Sequence, residues 1–419
     1  MGAADARIVA SSVHVVLMNR LRAFFAYSTG ALAATCGGAF LIRATLHSRH
    51  SPWAGGDSEA YIQMARWLVE GNSTFINPHP PLYSFFLVLF YIIPHDSASM
   101  AIWSQILISI GTMILVYYLS RRWNSAWTSY LAAGIVGLDP FQIYFSTVFL
   151  SETLFTFLLV AGFYTLFGLA ETPRFGRAFF CGIVFSLGAL CRTILSPFLP
   201  LVALSILVIL RASLRRHISL IAAFVLGIAL PMAVWSAYLH HRTGHWVLVS
   251  PQKGWNCYEG LNPHFERPDD VAQWQQHMTD DVAREGLKTS IDIDTYFWNK
   301  SIQLVKSQPG ETLILMIRKF FKFWRFWPYS PYSLRERIIS AIFMSFLIPF
   351  AVIGFFHSVD KPKIPMETIV LAIFMMIYAG ANTITWTEIR YRVPLHPLLA
   401  IFAAIGLTRT ISFIKEHLA

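Results

Sequence analysis

The amino-acid sequence predicts an all-α integral membrane protein with about ten transmembrane helices, a first outer loop holding an interfacial helix and a short upright or re-entrant helix, and a long second outer loop. Two observations carry this prediction. The 419-residue chain is 55% hydrophobic and only 13% charged, with a mean hydropathy of +0.51, whereas a soluble domain carries roughly 25% charged residues. In addition, Lys and Arg gather at the ends of apolar runs, where the positive-inside rule places them. That distribution accounts for the net charge of +10 without a nucleic-acid partner, and none is expected. The sequence shows no low-complexity tract and no internal repeat.

The first span is expected over Phe24–Leu46. Arg20 and Arg22 precede it, which places residues 1–23 in the cytoplasm and makes this helix a retained signal anchor. The polar stretch His47–Pro81 follows. Leu82–Ile93 falls short of the ~20 residues a crossing needs and stops at Pro94, so it reads as an upright or re-entrant helix within a first outer loop, 47–98. Further spans are expected over Ser99–Ser120, Ala126–Phe149, Glu152–Ala170, Phe175–Leu190, Pro197–Leu210 and Ile218–Leu239, then over Ile338–Phe356, Ile364–Ile384 and Pro394–Ile414. This threading puts Arg121/Arg122, Arg174/Arg177, Arg211/Arg215/Arg216, Lys361/Lys363 and Lys415 on the inner side, and 415–419 is a cytoplasmic C-terminus. The polytopic catalytic domain is then 24–414, with a second outer loop over 240–337. Within that loop Leu304–Trp327 interleaves Phe and Trp with Lys and Arg, as suits a helix lying in the membrane interface.

Ionisable residues at the membrane boundary are the functional candidates, and in this topology they collect on the outer side. Gly55-Gly56-Asp57 opens a helix expected to run to about Glu70, and Asp57 can cap it. Tyr61, Met64, Ala65 and Leu68 form its apolar stripe, which would lay it on the membrane surface. His79 stands in Asn77-Pro78-His79-Pro80-Pro81, a rigid helix start. Ser151 and Glu152 open a span and read either as cap and first-turn acid or as site residues. Arg192 ends one span, and Arg390, Tyr391 and Arg392 precede the last. Arginines outside break the positive-inside pattern, which favours a bound anion, with interfacial anchoring as the plainer account.

Other signals are lacking. No Walker loop, GxGxxG or HExxH occurs, and Asp292-Ile293-Asp294 reads as a loop or helix cap rather than a metal site. The four cysteines have no metal-type spacing, and only Cys191 and Cys257 share a compartment in which a disulfide is conceivable. No cofactor is expected, and nothing supports a divalent metal.

Asp57…Tyr61, His79-Pro80-Pro81-Leu82-Tyr83, Ser151-Glu152-Thr153-Leu154-Phe155, Leu190-Cys191-Arg192 and Arg390-Tyr391-Arg392-Val393-Pro394 occur in that order. The series resembles the polytopic GT-C glycosyltransferases of the protein O-mannosyltransferase and lipid A aminoarabinose transferase group, over roughly residues 20–410. The resemblance implies transfer of a sugar from a polyprenyl-phosphate carrier to a glycolipid, glycan or protein acceptor on the non-cytoplasmic face, as in a bacterial inner membrane. It makes Asp57 the base on the acceptor hydroxyl and Tyr61, His79, Glu152, Arg192, Arg390, Tyr391 and Arg392 substrate contacts. Two features depart from the group: Ser58 separates Asp57 from Glu59, and His79 stands where the aminoarabinose transferases have a lysine. The alternatives are a glycolipid transporter or flippase, which would favour repeats and midplane polar groups, and a membrane acyltransferase using His79.

Overall fold

The computed structural model describes residues 30–49, 51–53, 55–70, 79–91, 97–210, 213–263, 268–328, 333–360 and 363–418. The expected cytoplasmic N-terminus and Asn77-Pro78 lie outside the described residues. Among those described, no β-strand occurs. The helices, in chain order, are α1 (30–47), α2 (Gly56–Glu70), α3 (Pro81–Tyr91), α4 (Ser97–Ser120), α5 (Ala126–Leu138), α6 (Pro140–Phe145), α7 (Glu152–Glu171) and α8 (Phe175–Cys191). A 3₁₀ turn, Thr193–Phe198, leads into α9 (Leu199–Ile209), followed by α10 (Leu214–Thr243), α11 (Lys253–Leu261), α12 (Pro268–Arg284), α13 (Ser290–Ser307) and α14 (Pro309–Phe323). Then come α15 (Leu334–Val359), α16 (Met366–Ala381), a second 3₁₀ turn, Ile389–Leu395, and α17 (His396–Leu418).

Among the described residues, five helices are long and apolar enough to cross a membrane: α4, α7, α10, α15, and α17 with its leading 3₁₀ turn. The shorter apolar helices α3, α5, α8, α9 and α16 fill the remaining places, and the chain is a multi-pass membrane protein. Two pairs of helices approach closely through glycine. A Cβ on Gly182 of α8 would come within 3.0 Å of the Phe224 carbonyl of α10, and one on Gly227 would do the same to Phe179. Gly354 of α15 and Gly406 of α17 face each other's helix in the same way. Small residues let membrane helices pack by van der Waals contact where lipid offers no hydrophobic incentive to associate.

The expected span Ala126–Phe149 is not one helix; it breaks at Asp139-Pro140. Pro140 has no N–H to continue the ladder, and the Asp139 carboxylate instead accepts from the Phe141 amide at 2.9 Å and caps α6. The carbonyl of Gly137 is taken up by the buried Arg43, whose Nη1 donates to it at 3.0 Å while Nε donates to Ser109 Oγ at 3.0 Å. An open carbonyl in this setting would cost several kcal/mol, so the arginine repairs the break. Leu304–Trp327 also divides, because Pro309 ends α13 and starts α14.

The 240–337 segment holds α11 to α14. There Met278 and Phe297 form a small core with Trp255, Tyr258 and Trp274, and the Gly254 amide donates to Asp294 Oδ1 at 2.5 Å. Asp292 lies in the first turn of α13, whose cap is Thr289. All four cysteines are free thiols, Cys191 and Cys257 included. The apolar stripe of α2 faces the protein: Tyr61, Met64 and Ala65 are buried in the main core, with Leu68 packed against it. That stripe therefore fixes α2 to the bundle rather than supplying a lipid-facing surface.

Candidate active site

Five separate segments meet at one end of the bundle. The start of α2 brings Asp57 and Tyr61, and the residues before α3 bring His79. The start of α7 brings Ser151 and Glu152, the end of α8 brings Arg192, and the 3₁₀ turn before α17 brings Arg390 and Tyr391. Asp57 Oδ2 accepts from Arg390 Nη2, and its Oδ1 lies 3.6 Å from His79 Nε2. Glu152 Oε1 pairs with Arg192 Nη1 at 2.7 Å and lies 3.9 Å from Arg390 Nε. Glu388 Oε2 lies 3.6 Å from the same Nε, and its Oε1 accepts from Trp386 Nε1 at 3.0 Å. The two guanidiniums share the face of Tyr391, at 5.2 Å for Arg192 and 5.1 Å for Arg390. Such stacking suits the planar, weakly hydrated guanidinium.

The local sequence explains the placement. Gly55 takes a left-handed φ of 80°, a conformation that glycine reaches without cost, and so turns the chain into α2 directly before Asp57. Ser151 makes no side-chain cap bond; instead its hydroxyl accepts from Tyr61 OH at 3.2 Å. Tyr61 is packed edge-on between His79 and Tyr83, at 5.0 and 4.9 Å. Tyr83 OH in turn donates to Gln105 Oε1, and Gln105 Nε2 donates to the Val148 carbonyl at 2.8 Å. This buried chain holds the floor of the site.

The charges nearly balance within the cluster. Asp57, Glu152 and Glu388 face Arg192 and Arg390, with His79 at the edge. Burial works to raise the Asp57 carboxyl, but the hydrogen bond from His79 and the charge of Arg390 outweigh it and hold Asp57 well below the usual carboxylate range. Glu152 is almost wholly buried, and its Oε2 has no hydrogen-bond partner among the described residues; the same holds for Arg390 Nε and the hydroxyl of Tyr378 on α16. Buried polar groups are normally satisfied, so an open acceptor on Glu152 and open donors on Arg390 and Tyr378 make the cluster a candidate for binding a polar group. Among the described residues no three His, Cys, Asp or Glu side chains are grouped to hold a metal ion.

Arg392 is placed elsewhere. Its Nη1 donates to the carbonyls of Phe323 and Arg325 at 2.6 and 2.9 Å, and its Nε faces His396 Nε2 at 3.4 Å. His396 Nδ1 is 2.8 Å from Asp139 Oδ2. Arg392 thus ties the end of α14 to the start of α17, one step removed from the Asp57 cluster. Sequence reasoning did not single out Glu388 or Tyr378. Glu388 lies two positions before the motif that begins at Arg390, an acid close to a candidate anion ligand, whereas Tyr378 gives no signal apart from its helix.

Comparison with known proteins bears on the fold. Residues 78–235 match the profile of the family described as dolichyl-phosphate-mannose-protein mannosyltransferase. The structure superimposes on the Archaeoglobus fulgidus oligosaccharyltransferase AglB in complex with an inhibitory peptide and a dolichol-phosphate, at a TM-score of 0.56 and 12% identity, covering 92% of this chain and 51% of that one. The chain has the GT-C fold. The apo form of the same oligosaccharyltransferase gives a TM-score of 0.56 at 15% identity, with 92% and 51% coverage. The form tethered to an acceptor peptide gives 0.54 at 14%, with 92% and 50% coverage. This GT-C chain therefore spans about half the length of the oligosaccharyltransferases it resembles. No curated protein matches it.

Proposed function

We propose that the protein transfers a sugar from a polyprenyl-phosphate carrier to an acceptor hydroxyl on the non-cytoplasmic face of the membrane. The observation that carries this reading is the cluster itself, an ionised carboxylate held against a pair of arginines at one end of a GT-C bundle. In the resting site Asp57 is a weak base because Arg390 and His79 stabilise its charge. A donor phosphate that takes the fork of Arg390 removes that counter-charge, and the carboxylate regains basicity as the substrate arrives.

The acceptor oxygen then attacks the anomeric carbon, its proton passes to Asp57, and the bond from the anomeric carbon to the phosphate oxygen breaks. Polyprenyl phosphate leaves with the electron pair. Negative charge grows on that phosphate in the transition state, where Arg192, held by Glu152 and Tyr391, and Arg390, released from Asp57 by the arriving donor, stabilise it. A lipid-borne donor needs no nucleotide cradle, and the sequence holds none. AglB was solved with a dolichol-phosphate, a carrier of the same chemical class.

The test is incubation of the purified protein, in lipid nanodiscs, with polyprenyl-phosphate sugars and acceptor lipids or glycans. Acceptor-dependent release of polyprenyl phosphate with a glycosylated product is the expected result. Movement of intact glycolipid across proteoliposomes without bond cleavage would instead establish a transporter.

A further inference from the structure

The surface helix α14 carries three kinds of side chain on three sides. Leu313, Ile314, Ile317 and Phe321 are exposed, the apolar stripe of a helix lying in a membrane interface. Thr312, Leu315, Lys319 and Phe323 are buried against the protein. At ~100° per residue, Arg318 and Lys322 fall between these two sides. Together with Lys319, Arg325, Trp324 and Trp327 they line a cavity of about 560 Å³; among the described residues its lining holds no acid.

The basic groups are held in place. Lys319 Nζ donates to the Gly260 carbonyl at 2.7 Å and to that of Thr385. Lys322 Nζ stands 5.3 Å over the ring of Trp386, and the Arg325 guanidinium 5.1 Å over Trp327. Arg392 fixes the backbone below them through the carbonyls of Phe323 and Arg325.

We infer that this cavity binds the phosphate of an anionic glycerophospholipid whose acyl chains run along Leu313, Ile317 and Phe321. A concave basic wall beside a lipid-facing apolar stripe presents both halves of such a molecule's chemistry at once. Free phosphate would engage only the first half. None of the Asp57 cluster lines the cavity; the path between them runs from Lys322 over Trp386 to Glu388 and Arg390. The inference does not depend on sugar transfer.

The experiment is native mass spectrometry of the full-length protein extracted from equal mixtures of phosphatidylglycerol and phosphatidylcholine with matched chains. The wild type is expected to retain phosphatidylglycerol about tenfold over phosphatidylcholine, since each basic group near the lipid adds to anion preference. The triple variant R318Q/K322Q/R325Q is expected to lose that preference, and the charge-retaining R318K/K322R/R325K to keep it. If the triple variant does not fold, Lys322→Gln alone, checked for a matched melting curve, is expected to lower the preference several-fold. Equal retention of the two lipids by wild type, or an unchanged preference in the neutral variants, overturns the inference. So does displacement of phosphatidylglycerol by inorganic phosphate at equal concentration, which would make this a general anion site. Displacement by polyprenyl phosphate at far lower concentration also overturns it, because the cavity would then belong to the carrier. Asp57→Asn protein is expected to show wild-type lipid preference, whatever its turnover.

Discussion

Asp57→Asn separates a base from an acid that merely occupies the first turn of α2. Asparagine has nearly the same shape, is as well tolerated as aspartate at a helix start, and keeps one oxygen that can accept from either Arg390 or His79. What it cannot do is take a proton. Arg390 is not stranded by the change, since Glu388 and Glu152 remain 3.6 and 3.9 Å from its Nε, and the Asp57 side chain is 35% exposed. The stability cost is therefore that of a partly solvated ion pair, about 1 kcal/mol, which lowers the melting temperature by only a few degrees. Loss of a positioned general base costs on the order of 10²–10⁴-fold in rate, or about 3–5 kcal/mol of barrier. Turnover of a lipid-linked sugar is compared for wild type and variant at matched yield, and the expected result is near-complete loss of transfer with a nearly unchanged melting curve. A variant that turns over within a few-fold of wild type refutes the assignment of Asp57 as base. If the variant is missing from the membrane, Asp57→Glu takes its place in the same comparison. The pairing also has a pH signature: its stabilisation is present above the unfolded carboxyl range and is lost as pH falls below about 4. Wild type is expected to weaken there more than Asp57→Asn.

The remaining predictions concern charge geometry, titration, packing and the helix break. Arg192→Lys and Arg390→Lys keep the charge but lose the planar fork, so donor affinity measured by equilibrium binding is expected to fall about tenfold or more for each; unchanged affinity in both, and in the double variant, removes the phosphate role. Glu259 on α11 is pushed up to about 7, chiefly by burial and further by Glu388, so the folded state loses stability as pH rises from about 4 to about 7. Lys319 is pushed down to about 7 by burial and by Lys322, so its own effect falls above that window. Glu259→Gln is accordingly expected to flatten the decline in melting temperature between about pH 4.5 and about pH 7. Gly354→Ala places a Cβ against the Phe402 carbonyl and is expected to destabilise by about 1–3 kcal/mol, read as a lowered melting temperature with α15 and α17 forced apart. Arg43→Met leaves the Gly137 carbonyl without its donor and is expected to cost about 1–3 kcal/mol; a wild-type melting curve would show that water or another group satisfies that carbonyl.

Much of the fold was legible because bilayer length and charge placement constrain a polytopic chain strongly. The expected spans Glu152–Ala170 and Phe175–Leu190 differ from α7 and α8 by a residue at one end. The divided helices were legible in principle. Asp139-Pro140 and Gln308-Pro309 both carry the breaking signal, although each lies inside a longer segment whose composition suits one helix. Asp57, Tyr61, His79, Glu152, Arg192, Arg390 and Tyr391 were singled out from sequence, and the fold brings them together. Arg392 was singled out too, yet it serves another network. It is two residues from Arg390 in a 3₁₀ turn of about three residues per turn, so the two side chains leave the backbone in different directions. The helices α11 and α12 went unnoticed because they are short and polar, with no membrane length to impose.

The partners Asp57 and Arg390 are 333 residues apart in the chain, and this separation orders events during synthesis. Translation is vectorial, so α2 reaches the membrane boundary long before the turn that carries Arg390 exists. Throughout that interval Asp57 lacks its guanidinium partner, and a nascent chain can hold neither the charge balance nor the phosphate site described above. Closure of the site is thus tied to insertion of the last helix. A ribosome-bound chain arrested before Ile389 is expected to retain no carrier lipid when photo-crosslinked, and capture of polyprenyl phosphate by such an arrested chain would contradict this.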